Sequence, residues 1–283
     1  MIIILGHENP DVDSIISAIL LNKILIKKGY NSKFIIPDNE INKDTLEILN
    51  KYNINPYEYK EALPKDENKY ILVDHNERIV NGEIICIIDH HITSKKQNIK
   101  NYYNTNVSST ACYIAKNAEE LLDKNDLELS VLATMIDTVS FHSTKGREED
   151  KIWCEDICKK YNIDYQKIYN EGLYLTDITN LDEAKFNGLK KYNCGNKKVE
   201  SSYIQIENPN AEKEKIEKLI EKLKHHIIEE NLFAFVFIVH DMTNFKTMYY
   251  LIEKDNIKEK YYNKYEQRGN TIMPEVLEYV NNK

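Results

Sequence analysis

The feature that most constrains this chain is an alternation, through its first half, of short apolar runs with longer amphipathic stretches. The runs IIIL (2–5), KFII (33–36), YILV (70–73) and EIICII (83–88) have the length and β-branched content of buried strands. Between or after them, residues 14–28, 42–51, 109–123 and 126–136 place apolar residues at helical spacing. The first of these is apolar nearly all round, as a helix packed on a sheet is. Strand–helix alternation predicts a parallel sheet covered on both faces. Ligands of such sheets bind outside the carboxyl ends of the strands, so those ends are where chemistry is expected.

A further helix is predicted at about 148–160. The polar, turn-rich segment TDITNLDEAKFNG (176–188) follows, with the expected linker at about 179–186. Beyond it come a strand (199–207), an amphipathic helix (211–230), two more strands (232–239 and 247–252) and a last helix opening at Pro274. The fold class is therefore α/β, a parallel-sheet domain over 1–178 followed by a smaller α+β domain over 187–283. A chain of 283 residues is long enough to bury a core in each.

Three strand ends deliver carboxylates and imidazoles to the predicted site. GHENPDVDS (6–14) supplies His7, Asp11 and Asp13; LVDHNE (72–77) supplies Asp74 and His75; IIDHH (87–91) supplies Asp89, His90 and His91. Asp137, in MIDTVSFHS, is a fourth candidate. Each alone has an ordinary explanation, because Asp and Ser are standard helix N-caps. Together they exceed what capping requires. Carboxylates converging on one pocket repel one another unless a cation holds them, and a divalent metal meets that need. Mixed imidazole and carboxylate ligands suit Mn²⁺, Fe²⁺ or Co²⁺, whereas an all-oxygen set suits Mg²⁺ and thiolates suit Zn²⁺. With so many candidate ligands, two ions are expected rather than one.

Composition narrows the class of partner. A formal net charge of −8 argues against an extended nucleic-acid surface and leaves small anionic substrates open. No apolar run reaches the roughly 18 residues of a membrane span, and the opening MIIILGHEN lacks the basic region and cleavage site of a signal peptide. The five cysteines show neither a secreted framework nor CxxC pairs, so a reduced, cytoplasmic setting and no membrane association are expected.

The segments GHENPDVDS, VDHNE and IDHHI, followed by SSTA and IDTVSFHST, resemble the successive motifs of the DHH phosphoesterases, and among them the manganese-dependent (family II) inorganic pyrophosphatases. The Asn-Pro before Asp11 and the Asn after His75 favour that branch over the RecJ-like nucleases. The resemblance is strong over residues 1–150 and weak beyond about 180. It implies two Mn²⁺ ions, with Co²⁺ as a substitute and further Mg²⁺ accompanying substrate. His7 and Asp11 would hold one ion, Asp13, His90 and Asp137 the other, and Asp74 would bridge them. His91 would contact substrate phosphate, the second domain would close over the cleft, and the protein would be a homodimer. The implied reaction is hydrolysis of pyrophosphate to two phosphates by a hydroxide that the two ions activate, Asp74 and His91 being its catalytic residues.

The second domain departs from the family pattern. Lys190 and Arg268 are the matching substrate-binding cations, but Gly188 stands where an Asp is expected, and Gly269 and Asn270 stand where lysines are expected. That erosion motivates two competing readings: a short-chain polyphosphatase or exopolyphosphatase of the same superfamily, and a binding or regulatory protein that kept the fold. An oligonucleotide or cyclic-dinucleotide phosphodiesterase would need a Gly-rich nucleic-acid-binding segment in the second domain, and the sequence has none.

Overall fold

A computed structural model describes residues 1–37, 40–65, 68–91, 99–104 and 106–283. Ile92, the last residue of IDHHI, lies outside them. The chain divides into two compact units, Met1–Phe141 with Lys145–Gly172, and His142–Thr144 with Leu173–Lys283.

The first unit is built on five strands, β1 (Ile2–Leu5), β2 (Ser32–Phe34), β3 (Asn68–Val73), β4 (Gly82–Asp89) and β5 (Tyr102–Asn104). They lie in the order β2-β1-β3-β4-β5, and every pairing is parallel. Ile3, Ile4 and Leu5 are all fully buried. Successive side chains of a strand point to opposite faces, so both faces of β1 are covered, as an all-parallel sheet requires. One face packs Ile3, Leu5, Ile35, Tyr70, Leu72 and Ile87 into a single cluster. The helices are α1 (Val12–Lys27), α2 (Lys43–Lys51), α3 (Thr110–Lys116), α4 (Lys124–Thr138), α5 (Glu148–Tyr161) and α6 (Tyr165–Leu173). The expected helix over 109–123 ends early, at Lys116. Asn117 turns its amide back onto the Tyr113 carbonyl at 2.8 Å, and a 3₁₀ turn over Glu119–Leu121 follows.

The strand order reverses between β1 and β3, because the chain runs outward from β1 to β2 and then crosses to β3 on the other side. A crevice opens at the carboxyl ends of the strands on either side of such a switch point. β1 ends one residue before Gly6-His7 and β3 ends immediately before Asp74.

The second unit carries a mixed sheet of β6 (Lys190–Cys194), β7 (Lys197–Ile206), β8 (Ala234–Asp241), β9 (Lys246–Glu253) and β10 (Ile257–Tyr262), in the order β10-β9-β8-β7-β6. Only β7 and β8 run parallel, and α8 (Lys213–Glu229) connects them. Alternation along β8 splits the core: Phe235, Phe237 and Val239 meet Leu219 and Leu223 of α8. Val236 and Ile238 meet Met273, Val276 and Val280 of the last helix, Met273–Asn281. The expected linker at 179–186 is instead folded into this unit. A short helix, α7 (Leu181–Ala184), is capped by Asn180, whose side chain accepts from the Asp182 amide, and Ile178 and Ala184 bury in the α8 cluster. Turn-forming composition here marked a capped helix rather than a free connection.

Candidate metal centre

The β1–α1 turn is fixed by its own side chains. Asp11 is the N-cap of α1 and accepts from the Ser14 amide at 3.0 Å, and the His7 amide donates to Ser14 Oγ at 3.0 Å. A side chain at Gly6 would put its Cβ 2.2 Å from Ser14 Oγ, so this close crossing of turn and helix requires glycine. His7 Nδ1 lies 2.8 Å from the Glu8 carbonyl. A carbonyl only accepts, so Nδ1 carries a proton and Nε2 is the nitrogen turned towards the cluster. That Nε2 stands 3.5 Å from Asp11 Oδ1 and 3.6 Å from Asp74 Oδ2.

Asp13, in the first turn of α1, is almost fully buried. Its two oxygens accept from the backbone amides of Thr110 and Ala111, at 2.8 and 3.0 Å, at the N-terminus of α3. Amides at a helix start have no partner within the helix and attract anions, so α3 is a fixed cradle for this carboxylate. The cradle is itself braced. Ser109 caps α3 by accepting from the Cys112 amide at 3.1 Å, and Asp150 accepts from the Ser108 amide at 2.7 Å while pairing with Lys116.

Asp74 has a φ of +64°, in the left-handed region where Asp is among the few non-glycine residues found regularly. Its Oδ1 accepts from Thr110 Oγ1 at 3.1 Å and lies 3.2 Å from His90 Nε2. His90 Nε2 is also 3.4 Å from Asp137 Oδ2 and 3.8 Å from Asp13 Oδ2, while its Nδ1 is 3.3 Å from the Val107 carbonyl. Two groupings with metal-ligand spacing therefore share one neighbourhood, His7–Asp11–Asp74 and Asp13–His90–Asp137, and a third joins Asp74, His90 and His91. All six sequence-predicted ligands lie in the first unit and are brought together.

Charge and hydrogen bonding show how well a divalent ion fits. Burial, and then the neighbouring charge of Asp74, push the Asp13 carboxyl well above the usual carboxylate range. Burial works against a charge on His7, but Asp11 and Asp74 outweigh it and lift the imidazole to about 10; the balance at His90 has the same sign, through Asp74 and Asp137. The cluster thus draws in protons to offset its negative charge. Among the described residues, His90 Nε2 and Asp137 Oδ2 are buried without a hydrogen-bond partner, although they are close to each other. Both imidazoles offer Nε2 inward while a backbone carbonyl holds Nδ1, which is how metal-bound histidines are oriented. The residues fit divalent metal.

Lys145 was not anticipated from the sequence. Its ammonium pairs with Asp137, and the charges of Asp137, Asp74 and Asp11 outweigh burial and raise its pKa. The only available signal was a lysine eight residues after Asp137. Of the cations expected to bind substrate, Lys190 opens β6 opposite Ser201 and is exposed. Arg268 donates to the Gly188 carbonyl, sits 3.4 Å from Ser201 Oγ and lies over the Tyr203 ring at 5.4 Å. Both therefore gather at Ser201 within the second unit. His142, also in that unit, stacks on Phe245 with ring centroids 3.3 Å apart.

The cluster lies within the part of the chain that a known family describes, because the DHH N-terminal-domain signature matches residues 1–138. These residues belong to the DHH family. The whole chain is 29% identical over 259 residues to a probable manganese-dependent inorganic pyrophosphatase of Oceanobacillus iheyensis, covering 86% of this chain and 82% of that one. It is 26% identical over 259 residues to the manganese-dependent inorganic pyrophosphatase of Bacillus subtilis, covering 85% and 82%. A Methanococcus jannaschii protein described as a candidate family II inorganic pyrophosphatase has the same fold, with a TM-score of 0.67 and 24% identity over the whole of both chains. The two-domain fold of this chain is therefore shared with that protein.

Proposed function

We propose that this protein is a manganese-dependent inorganic pyrophosphatase, hydrolysing pyrophosphate to two phosphates. The observation that carries the reading is the pair of groupings, His7–Asp11 and Asp13–His90–Asp137, with Asp74 between them. The named relatives, matched over more than four-fifths of each chain, support the same substrate. In this reading His7 and Asp11 hold one Mn²⁺, Asp13, His90 and Asp137 hold the second, and Asp74 serves both. When bound, such an ion pair supplies Lewis acidity and makes water a nucleophile near neutral pH.

The chain's own residues do the rest. Asp74 turns Oδ1 towards His90 and Oδ2 towards His7, so this carboxylate would serve both groupings. The amides of Thr110 and Ala111 keep Asp13 in place, so its carboxylate needs no reorganisation when an ion binds. His91 meets substrate phosphate, and Lys190 and Arg268 are the cations that offset its charge. Co²⁺ can replace Mn²⁺, Mg²⁺ accompanies the substrate, and the enzyme acts as a cytoplasmic homodimer. The reduced state of all five cysteines agrees with that location, and no helix among the described residues is long and apolar enough to cross a membrane.

A second reading, short-chain polyphosphatase, draws on one observation. Gly188 has a φ of +59°, and a Cβ there would lie 2.2 Å from the Tyr203 ring, so the acidic residue of the family pattern has no room in this fold. The test is phosphate release from pyrophosphate and from tripolyphosphate by chelator-stripped protein with Mn²⁺, Co²⁺ or Mg²⁺ restored. Fast, Mn²⁺-stimulated, pyrophosphate-selective release is expected. Preference for tripolyphosphate would transfer the assignment to the second reading, and no release with any metal would leave a binding protein.

A further inference from the structure

Asp89 opens the Asp-His-His triplet, yet it belongs to none of the groupings with metal-ligand spacing among the described residues. It is 1% exposed at the end of β4, and its hydrogen bonds run elsewhere. Oδ1 accepts from the His91 amide at 3.0 Å and lies 3.0 Å from His91 Nδ1. Oδ2 accepts from Asn76 Nδ2 at 2.9 Å, and the same amide group reaches the Tyr102 hydroxyl at 3.2 Å. Asn76 is itself buried, two residues beyond Asp74, while Tyr102 stands on the neighbouring strand β5. Residues from three adjacent strands and the turns after them therefore converge on one carboxylate, whose other oxygen faces one imidazole.

We propose that Asp89, braced by Asn76 and Tyr102, is a positioning residue that locks His91 with its proton on Nδ1 and reserves Nε2 for the substrate. A carboxylate is an acceptor only, so the ring nitrogen beside it is the one that carries hydrogen. His91 Nδ1 is also 3.6 Å from Asp74 Oδ1, beyond hydrogen-bond distance, so a second negative charge favours a proton on the same edge of the ring. Carboxylate–imidazole pairs of this kind set tautomer and ring orientation, and losing the outer partner costs roughly 10–100-fold in activity or affinity. The side chain of His91 is 42% exposed and its ring meets that of His90 edge-on at 4.4 Å; ring packing does not choose between the two nitrogens, and the Asp89 contact does. The kinetic part of this inference rests on the hydrolase reading above, whereas the tautomer part does not.

The test combines nitrogen-15 NMR of the histidines with a mutant cycle. In the Mg²⁺-loaded wild type, at a pH where the ring is neutral, His91 shows a protonated Nδ1, the signal being assigned by its loss in His91→Gln. In Asp89→Leu that tautomer is no longer enforced, and kcat with Mn²⁺ falls about 10–100-fold. Asp89→Asn, which can still accept at Oδ1, retains more activity than Asp89→Leu. In the His91→Gln background Asp89→Leu costs little more, because both changes remove one interaction. A wild-type ring protonated on Nε2 would overturn the inference even if the leucine variant does not fold. So would an unchanged tautomer in Asp89→Leu, or losses from the two substitutions that add in full. A wild type that hydrolyses no pyrophosphate would sink the hydrolase reading, and the tautomer would still decide the positioning role.

Discussion

His90 Nε2 approaches Asp74 Oδ1 to 3.2 Å, while the second oxygen of the same carboxylate lies 3.6 Å from His7 Nε2. One side chain thus faces two imidazoles that arrive on different strand ends. The arrangement gathers more negative charge than hydrogen bonding offsets, so a divalent ion that binds the folded chain stabilises it against unfolding. Mn²⁺ at about 100 times its dissociation constant adds about 2.7 kcal/mol per site. Thermal unfolding with and without chelator measures this. A melting temperature that Mn²⁺ does not raise would count against the site.

Ser109→Ala removes the cap of α3 and the 2.9 Å contact with Thr134 Oγ1. It is expected to cost about 1–2 kcal/mol of stability, the range for a lost N-cap. Because α3 cradles Asp13, Mn²⁺ affinity falls as well. Urea unfolding and metal titration of the variant separate the two effects, and unchanged metal affinity would show that the cradle is not needed.

Restoring the acidic residue of the family pattern should fail. Gly188→Asp forces a Cβ into the Tyr203 ring, and is expected to cost about 1–3 kcal/mol from that overpacking. Chemical denaturation reads the loss. A variant as stable as the parent would show that Tyr203 moves freely.

The second unit carries its own pH dependence. His240 is buried, stacked on Tyr265 at 4.3 Å and bonded through Nδ1 to Thr247 Oγ1. Burial, and then the charge of Arg268, lower it from 6.5 to about 3. The unfolded chain therefore binds a proton below about 6.5 that the folded chain refuses. Its contribution to stability is complete above that pH and is lost as pH falls towards about 3, at up to about 1.4 kcal/mol per pH unit. His240→Phe should flatten the difference between urea midpoints at pH 7 and pH 5. An unchanged difference would show that other groups dominate.

Sequence patterning revealed the parallel sheet because its strands are buried on both faces and read as unbroken apolar runs. It missed β6 and β10, whose residues KKYNC and IKEKYY carry runs of charge without a period-two pattern at the edges of their sheet, where charged side chains guard against further pairing. Five of the six candidate metal-binding residues were legible because each follows a strand end closely in sequence, while Asp137 lies in the last turn of α4 and stood out through its own segment. Lys145 and the Asn76–Asp89–His91 chain were not, because those contacts depend on how separate segments meet in space. The linker was misplaced for a related reason: the residues that cap a helix are also the residues that make turns.

The proposed hydrolysis depends on Asp74 being shared between two metal sites. Calorimetric titration of Mn²⁺ into chelator-stripped wild type and Asp74→Asn measures that sharing. Two equivalents are expected to bind the wild type, with binding at both sites weakened in Asp74→Asn. A single equivalent in the wild type, or an Asp74→Asn variant that binds two ions with unchanged affinity, would contradict it.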